Sequence, residues 1–169
     1  MKLRSISVCA TLFVATTLLS AQNKVMMTGK CGKADTQQSV PAADMQGHNY
    51  AISSGKCTAE GKVGGANAKD GAYAENQDIR GNVMKNWGTY AVTLDDGDKV
   101  FFDYMGTDTM KDGKFAAGNN RWQITGGTGK MKGAKGTGQC KLAPAGSTDI
   151  TYTCNGVYGT PGAGAGAKQ

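Results

Sequence analysis

Polar and apolar positions alternate along most of this chain beyond residue 22. From Trp87 to Leu94, residues Trp87, Thr89, Ala91 and Thr93 fall on one side of an extended segment, and Tyr90, Val92 and Leu94 on the other. A period of two marks a half-buried β-strand, because successive side chains point to opposite faces. Asp95-Asp96-Gly97-Asp98 interrupts the pattern, and Lys99 to Tyr104 resumes it. Asp-Gly between two such runs predicts a tight hairpin, since these turns need a positive φ that glycine tolerates. Lys111-Asp112-Gly113-Lys114 predicts another, ahead of a strand at 121–125. Further strands are expected at 49–53, 137–142 and 149–157, the last with Ile150, Tyr152 and Cys154 on one face. Weaker alternation marks 25–28, 57–63 and 72–80. No stretch sustains apolar positions at i, i+3, i+4 and i+7, so no long helix is expected. About seven to nine short strands joined by tight turns predict an all-β domain, either a closed antiparallel barrel or a β-sandwich. A closed barrel has the advantage of hiding its strand edges where no helix covers them.

Composition supports many turns. The chain has 26 glycines against three prolines, Pro41, Pro144 and Pro161. The glycines are spread between the alternating segments, as turn residues would be. The Gly/Ala-rich segment 159–169 offers too little apolar surface to bury and is expected to be a flexible tail.

The N-terminus departs from the strand pattern. Lys2 and Arg4 precede an apolar run from about Ile6 to Leu19, and Ser20-Ala21 leads into polar Gln22-Asn23-Lys24. This is the layout of a secretory signal peptide cleaved near Ala21. The run holds Ser7, Thr11, Thr16 and Thr17 and falls short of the roughly 20 apolar residues of a membrane-spanning helix. No later segment is apolar enough to span, so the mature protein is expected to be exported, periplasmic or extracellular, with no transmembrane segment. Loss of Lys2 and Arg4 takes the net charge from +6 to +4. That charge favours solubility and does not identify a nucleic-acid binder. The barrel domain is expected over 22–158.

Cys9 leaves with the signal, and Cys31, Cys57, Cys140 and Cys154 remain. An even count in an exported domain predicts disulfides. Three pairings are possible; Cys31–Cys57 and Cys140–Cys154 are favoured, each pair being close in the chain and on neighbouring strands. A four-cysteine zinc site would call for C-x₂₋₄-C knuckles, which neither spacing provides.

The most distinctive stretch is 122–138, Trp122-Gln-Ile-Thr-Gly-Gly-Thr-Gly-Lys-Met-Lys-Gly-Ala-Lys-Gly-Thr-Gly138. A phosphate loop needs Gly, four residues, Gly, then Lys and Ser or Thr, and the spacing here fails. The dinucleotide fingerprint fails too, because its third glycine would fall on Lys132. An apolar strand running into a glycine corner, with Met131 and Ala134 turned inward, fits these residues better.

With Gly126-Gly127-Thr128-Gly129, Lys130-Met131-Lys132 and Gly133-Ala134-Lys135-Gly136, this segment resembles the allene oxide cyclase and dirigent superfamily. In that group a strand ends in a Gly-Gly-Thr/Ser-Gly turn and a Gly-Ala-x-Gly leads into the next. The whole chain looks like its small bacterial secreted members. The likeness spans about 25 residues closely and, in strand and turn order, residues 87–158. It implies an eight-stranded antiparallel barrel with a central cavity, often oligomeric. The plant proteins isomerise a fatty-acid epoxide or steer phenoxy-radical coupling. Cys31, His48 and Cys57 depart from the plant pattern, so fold carries over and chemistry does not.

Candidate chemistry is sparse. His48 is the single histidine, and no G-x-S-x-G elbow accompanies it; an ordinary strand or loop position is expected. Asp95, Asp96, Asp98 and Asp103 cluster at a hairpin without the spacing of a calcium loop. Lys130, Lys132, Lys135 and Lys141 make a basic patch that alternation along a solvated hairpin explains. Trp87, Tyr90, Phe101, Phe102, Tyr104 and Trp122 are expected to fill the barrel or line its cavity. Glu75, Asp78 and Arg80 are the polar side chains that could project into it. No catalytic residue, metal or cofactor is assigned. The leading expectation is a non-catalytic exported barrel that binds a small apolar ligand or a surface partner. A cavity isomerase and a structural envelope protein are the alternatives.

Overall fold

The computed structural model describes residues 22–161; the expected signal peptide and most of the expected tail lie outside the described residues. Nine strands follow one another: β1 (Asn23–Cys31), β2 (Thr36–Pro41), β3 (His48–Val63), β4 (Ala66–Arg80), β5 (Val83–Leu94), β6 (Lys99–Lys111), β7 (Lys114–Gly127), β8 (Lys135–Pro144) and β9 (Ile150–Gly159). The predicted turns are where the Asp-Gly pairs place them. Asp112 and Gly113 both adopt positive φ, 51° and 72°, as a two-residue turn between twisted strands requires.

Strands β3 to β9 form an antiparallel meander, and β1 pairs with β9 on one side and β3 on the other. That closes an eight-stranded barrel, so the barrel expectation holds and the sandwich alternative does not. Strand β2 was not foreseen. It continues the line of β1 along the same edge of β3, with Thr36 opposite Ser54 and Pro41 opposite Asn49. Its six residues are all exposed, so it carries no alternation to read. Strand β9 begins at Ile150, opposite Cys31, and does not reach β2. The wall is therefore continuous at the β1 level and open beside β2.

The end opposite that opening is plugged. A short 3₁₀ turn, Gly129–Met131, folds across it, and Met131 and Ala134 are fully buried, as their positions in the glycine-rich segment suggested. Val25, Val63, Val92 and Val100 pack with them in the core. The Asp95–Asp98 cluster braces this end. Asp98 accepts a hydrogen bond from the Lys130 backbone N–H at 2.9 Å, Asp96 pairs with the Lys130 ammonium at 3.1 Å, and Asp95 receives the Asn67 side-chain amide at 2.6 Å.

Both disulfides form in the favoured pairing. Each joins residues directly opposite one another on paired strands: Cys31 with Cys57 across β1–β3, and Cys140 with Cys154 across β8–β9. The first sits at the last rung of the seam that closes the barrel. Two disulfides fit an oxidising compartment. No helix of the described residues is long and apolar enough to cross a membrane.

His48 is more than an ordinary strand position. It is buried at the far end of β3, and its ring nitrogens face carboxylate oxygens of Asp44 and, at 3.0 Å, Asp78. Asp78 is also held by Arg80, 3.0 Å away. The ring ties the 42–47 connection to β4. His48→Ala removes both bonds and leaves a hole, so it is expected to cost about 1–3 kcal/mol and to speed proteolysis between β2 and β3. Urea denaturation and limited proteolysis check both effects.

Candidate functional site: the barrel lumen

Side chains on the inward parity of the strands leave a cavity of about 250 Å³ on the open side of the barrel. Aromatic side chains line it: the Tyr90 and Tyr152 hydroxyls meet at 2.9 Å, and Tyr152 donates onward to the Thr58 carbonyl at 3.0 Å. Phe102 and Trp122 stand edge to face beside them, ring centres 5.4 Å apart. Exposed Gly32, Gln37 and Thr148 rim the cavity beside the gap next to β2. Both disulfides lie in its wall.

The space exists because inward positions beside the large rings are glycines. A Cβ on Gly138 or Gly156 would collide with the Trp122 indole and with a backbone carbonyl, of Asn155 and Thr137 respectively. Tyr152 lies against Gly29 and Tyr90 against Gly71 in the same way. Each ring is thus pressed onto the wall instead of crowding the centre.

The polar side of the lumen holds two carboxyls. Glu75 accepts bonds from the Gln77 amide at 2.7 Å and the Tyr104 hydroxyl at 2.9 Å. Burial raises its pKa against the pull of both bonds. Asp108 is pushed up to about 7, first by burial and then by the charge of Glu75, although Asn86 donates to it at 2.8 Å. Burial also raises the Tyr104 phenol, with Glu75 adding to the shift. Among the described residues, Asn86 Oδ1, Asp108 Oδ1, Asn120 Oδ1 and Trp122 Nε1 are buried without a hydrogen-bond partner.

A raised carboxyl pKa makes folding favour the protonated form. Stability owed to Asp108 is full below its unfolded value near 3.8 and is lost as pH rises through about 7. The stability of the wild type relative to Asp108→Asn is therefore expected to fall from pH 4 to pH 8. Paired urea titrations across that range check it; a constant difference would contradict a buried, proton-holding Asp108.

No protein-family model and no curated protein matches the chain significantly. Solved structures do resemble it. The pterocarpan synthase dirigent protein GePTS1 aligns over 93% of this chain and 99% of its own, at 11% identity and a TM-score of 0.49. A conserved protein of unknown function from Rhodopseudomonas palustris aligns over 81% and 98%, at 14% identity and 0.46. A DUF3224-family protein of unknown function from Shewanella oneidensis MR-1 aligns over 80% and 96%, at 13% and 0.44. The closed eight-stranded barrel, established by the strand pairing itself, is the architecture that the dirigent and allene oxide cyclase resemblance implied.

Of the side chains expected in a cavity, Glu75, Tyr90, Phe102, Tyr104 and Trp122 line it together. Arg80 does not: it is exposed at the end of β4 and pairs with Asp78 outside the lumen. Trp87 and Phe101 are also outside, 44% and 37% exposed. Both sit on the parity opposite Tyr90 and Phe102, so the alternation places them on the outer face. Asp108, Asn120, Tyr73 and Gln77 line the cavity and were not singled out in the sequence. Asp108 continues the Phe102, Tyr104, Gly106 parity and Asn120 precedes Trp122 and Ile124. Carrying both strands further would have reached them.

Proposed function

We propose that this protein is an exported barrel that binds one small, mainly apolar molecule in its lumen without catalysis. The observation that carries the reading is the aromatic-walled cavity of about 250 Å³, kept open by wall glycines that admit no side chain. An apolar pocket with a few placed polar groups is the usual form of a small-molecule site. The signal-like N-terminus and the two disulfides support export.

Native mass spectrometry of the protein purified gently from its own compartment, without reductant, tests this reading. The expected species begins near Gln22, is four hydrogens lighter than the reduced chain, and carries a small molecule released by collisional activation. A ligand-free mass, combined with failure to bind any apolar probe, would overturn it.

One observation favours a second reading, an isomerase working in the same lumen. Glu75 and Asp108 are buried carboxyls raised by burial and facing one cavity, and Asp108, pushed up to about 7, can exchange protons near neutral pH. Chemical conversion of the co-purifying molecule by the wild type, lost in Asp108→Asn with binding retained, would favour the enzyme.

A further inference from the structure

The charge of the lumen is one-sided. Among the described residues lining it, Glu75 and Asp108 are the acidic groups, and no Lys, Arg or His joins them, in a chain of net charge +6. Two acceptor oxygens of its lining residues, Asp108 Oδ1 and Asn120 Oδ1, have no donor among the described residues; Asn86 Oδ1, on the side chain that donates to Asp108, also lacks one but does not line the lumen. Asp108 and Asn120 are only 3% and 8% exposed. A buried acceptor left unmatched is costly, so orphan acceptors facing one cavity call for a donor from outside the chain.

The strand register explains why they gather. Asn86, Gly106 and Asn120 are opposite one another across β5, β6 and β7, and Asp108 is opposite Gly118. A Cβ at Gly106 would strike Asn120 Oδ1, and one at Gly118 would strike Asp108 Oδ1. The glycines therefore let the amide of Asn120 and the carboxyl of Asp108 lie across empty wall positions. Phe102 and Trp122 follow on the same inward parity of β6 and β7, towards the plugged end.

We infer that the lumen selects a primary amine, its ammonium seated on Asp108 and Asn120 and its apolar body against the rings of Phe102, Trp122 and Tyr104. An ammonium carries three N–H donors and no acceptor, which matches orphan acceptors in kind. Aromatic rings around it add cation–π attraction. Glu75 supplies a second negative group in the same cavity. The Trp122 indole N–H is left for an acceptor on the ligand's body, such as a hydroxyl. This inference rests on the reading that the lumen binds a ligand.

Isothermal titration calorimetry of the mature, disulfide-bonded protein at pH 8 tests it with three probes of one skeleton: 2-phenylethylamine, 2-phenylethanol and phenylacetate. The amine is expected to bind at least about tenfold more tightly than the alcohol, the difference one charge-assisted hydrogen bond supplies, with phenylacetate weakest. In Asp108→Asn, confirmed folded by circular dichroism, the amine should lose its advantage over the alcohol. Asn120→Leu, which keeps the carboxyl, should reduce that advantage without abolishing it. Alcohol binding as tight as the amine, or tighter binding of phenylacetate, would overturn the amine inference and leave the lumen as a binding site. No binding of any of the three would overturn both.

Discussion

Trp122→Ala is expected to lower folding stability by about 3–5 kcal/mol, the range for deleting a large buried aromatic side chain. Trp122 is buried, meets Phe102 edge to face, and covers Gly138 and Gly156 on the two strands beyond it. Those glycines have no side chains with which to refill the space, so the wall cannot collapse cheaply onto the gap. The reverse change identifies the same contact. Gly138→Ala introduces a Cβ against the indole and the Asn155 carbonyl, and overpacking of this kind costs about 1–3 kcal/mol or more. Combining Gly138→Ala with Trp122→Leu should recover only part of that cost, because the backbone carbonyl remains. Urea unfolding followed by far-ultraviolet circular dichroism measures all of these. A loss below about 1 kcal/mol for Trp122→Ala, the level of an ordinary surface change, would mean that the ring is not a wall element.

Removing the Cys31–Cys57 bridge by double alanine substitution is expected to cost about 3 kcal/mol, the scale for a closed loop of this length. The two bridges close segments of 26 and 14 residues. Because the entropic term grows only slowly with loop length, the Cys140–Cys154 double variant should lose a similar amount. Their places in the fold separate them. Cys140–Cys154 joins β8 to β9 within the meander, whereas Cys31–Cys57 fastens the last rung of the β1–β3 seam. Loss of the seam bridge should therefore admit solvent to the lumen, and acrylamide should quench Trp122 more strongly. Loss of the other bridge should leave quenching near wild type. The Trp87→Phe background removes the exposed second tryptophan and makes the reading specific. Equal quenching in the two variants would contradict a seam that depends on its disulfide.

Much of the barrel was legible because local signals and tertiary structure agree. The Asp96-Gly97 and Asp112-Gly113 turns, the Tyr90/Val92/Leu94 face and the inward Met131 and Ala134 all follow from period two and turn chemistry. Strand lengths were not legible. Two expected segments, 49–53 and 57–63, are one 16-residue strand, since the Ser54-Gly55-Lys56 interval reads as a break while its glycine is a wall position beside Tyr73. Strand β2 was hidden because it is an exposed edge with no buried face, held to β3 by backbone pairing and by the Thr36–Ser54 hydroxyl contact. The site was half legible: its aromatic residues and Glu75 stand out by type, whereas Asp108 and Asn120 lie on the same inward parity but beyond the segments read as strands, with glycines as their partners on the neighbouring strands. His48 gained its role from Asp44 and Asp78, the second of them 30 residues away.

The chain's two tryptophans stand on opposite faces of the same wall, Trp122 in the lumen and Trp87 on the outer surface. Their indole N–H signals in a ¹H–¹⁵N correlation spectrum therefore report separately on inside and outside. Titration with neutral, apolar 2-phenylethanol is predicted to shift the Trp122 signal saturably, with a single-site curve, while the Trp87 signal stays in place. A Trp122 signal that does not move, or a saturable shift confined to Trp87, would contradict a lumen that takes up small molecules.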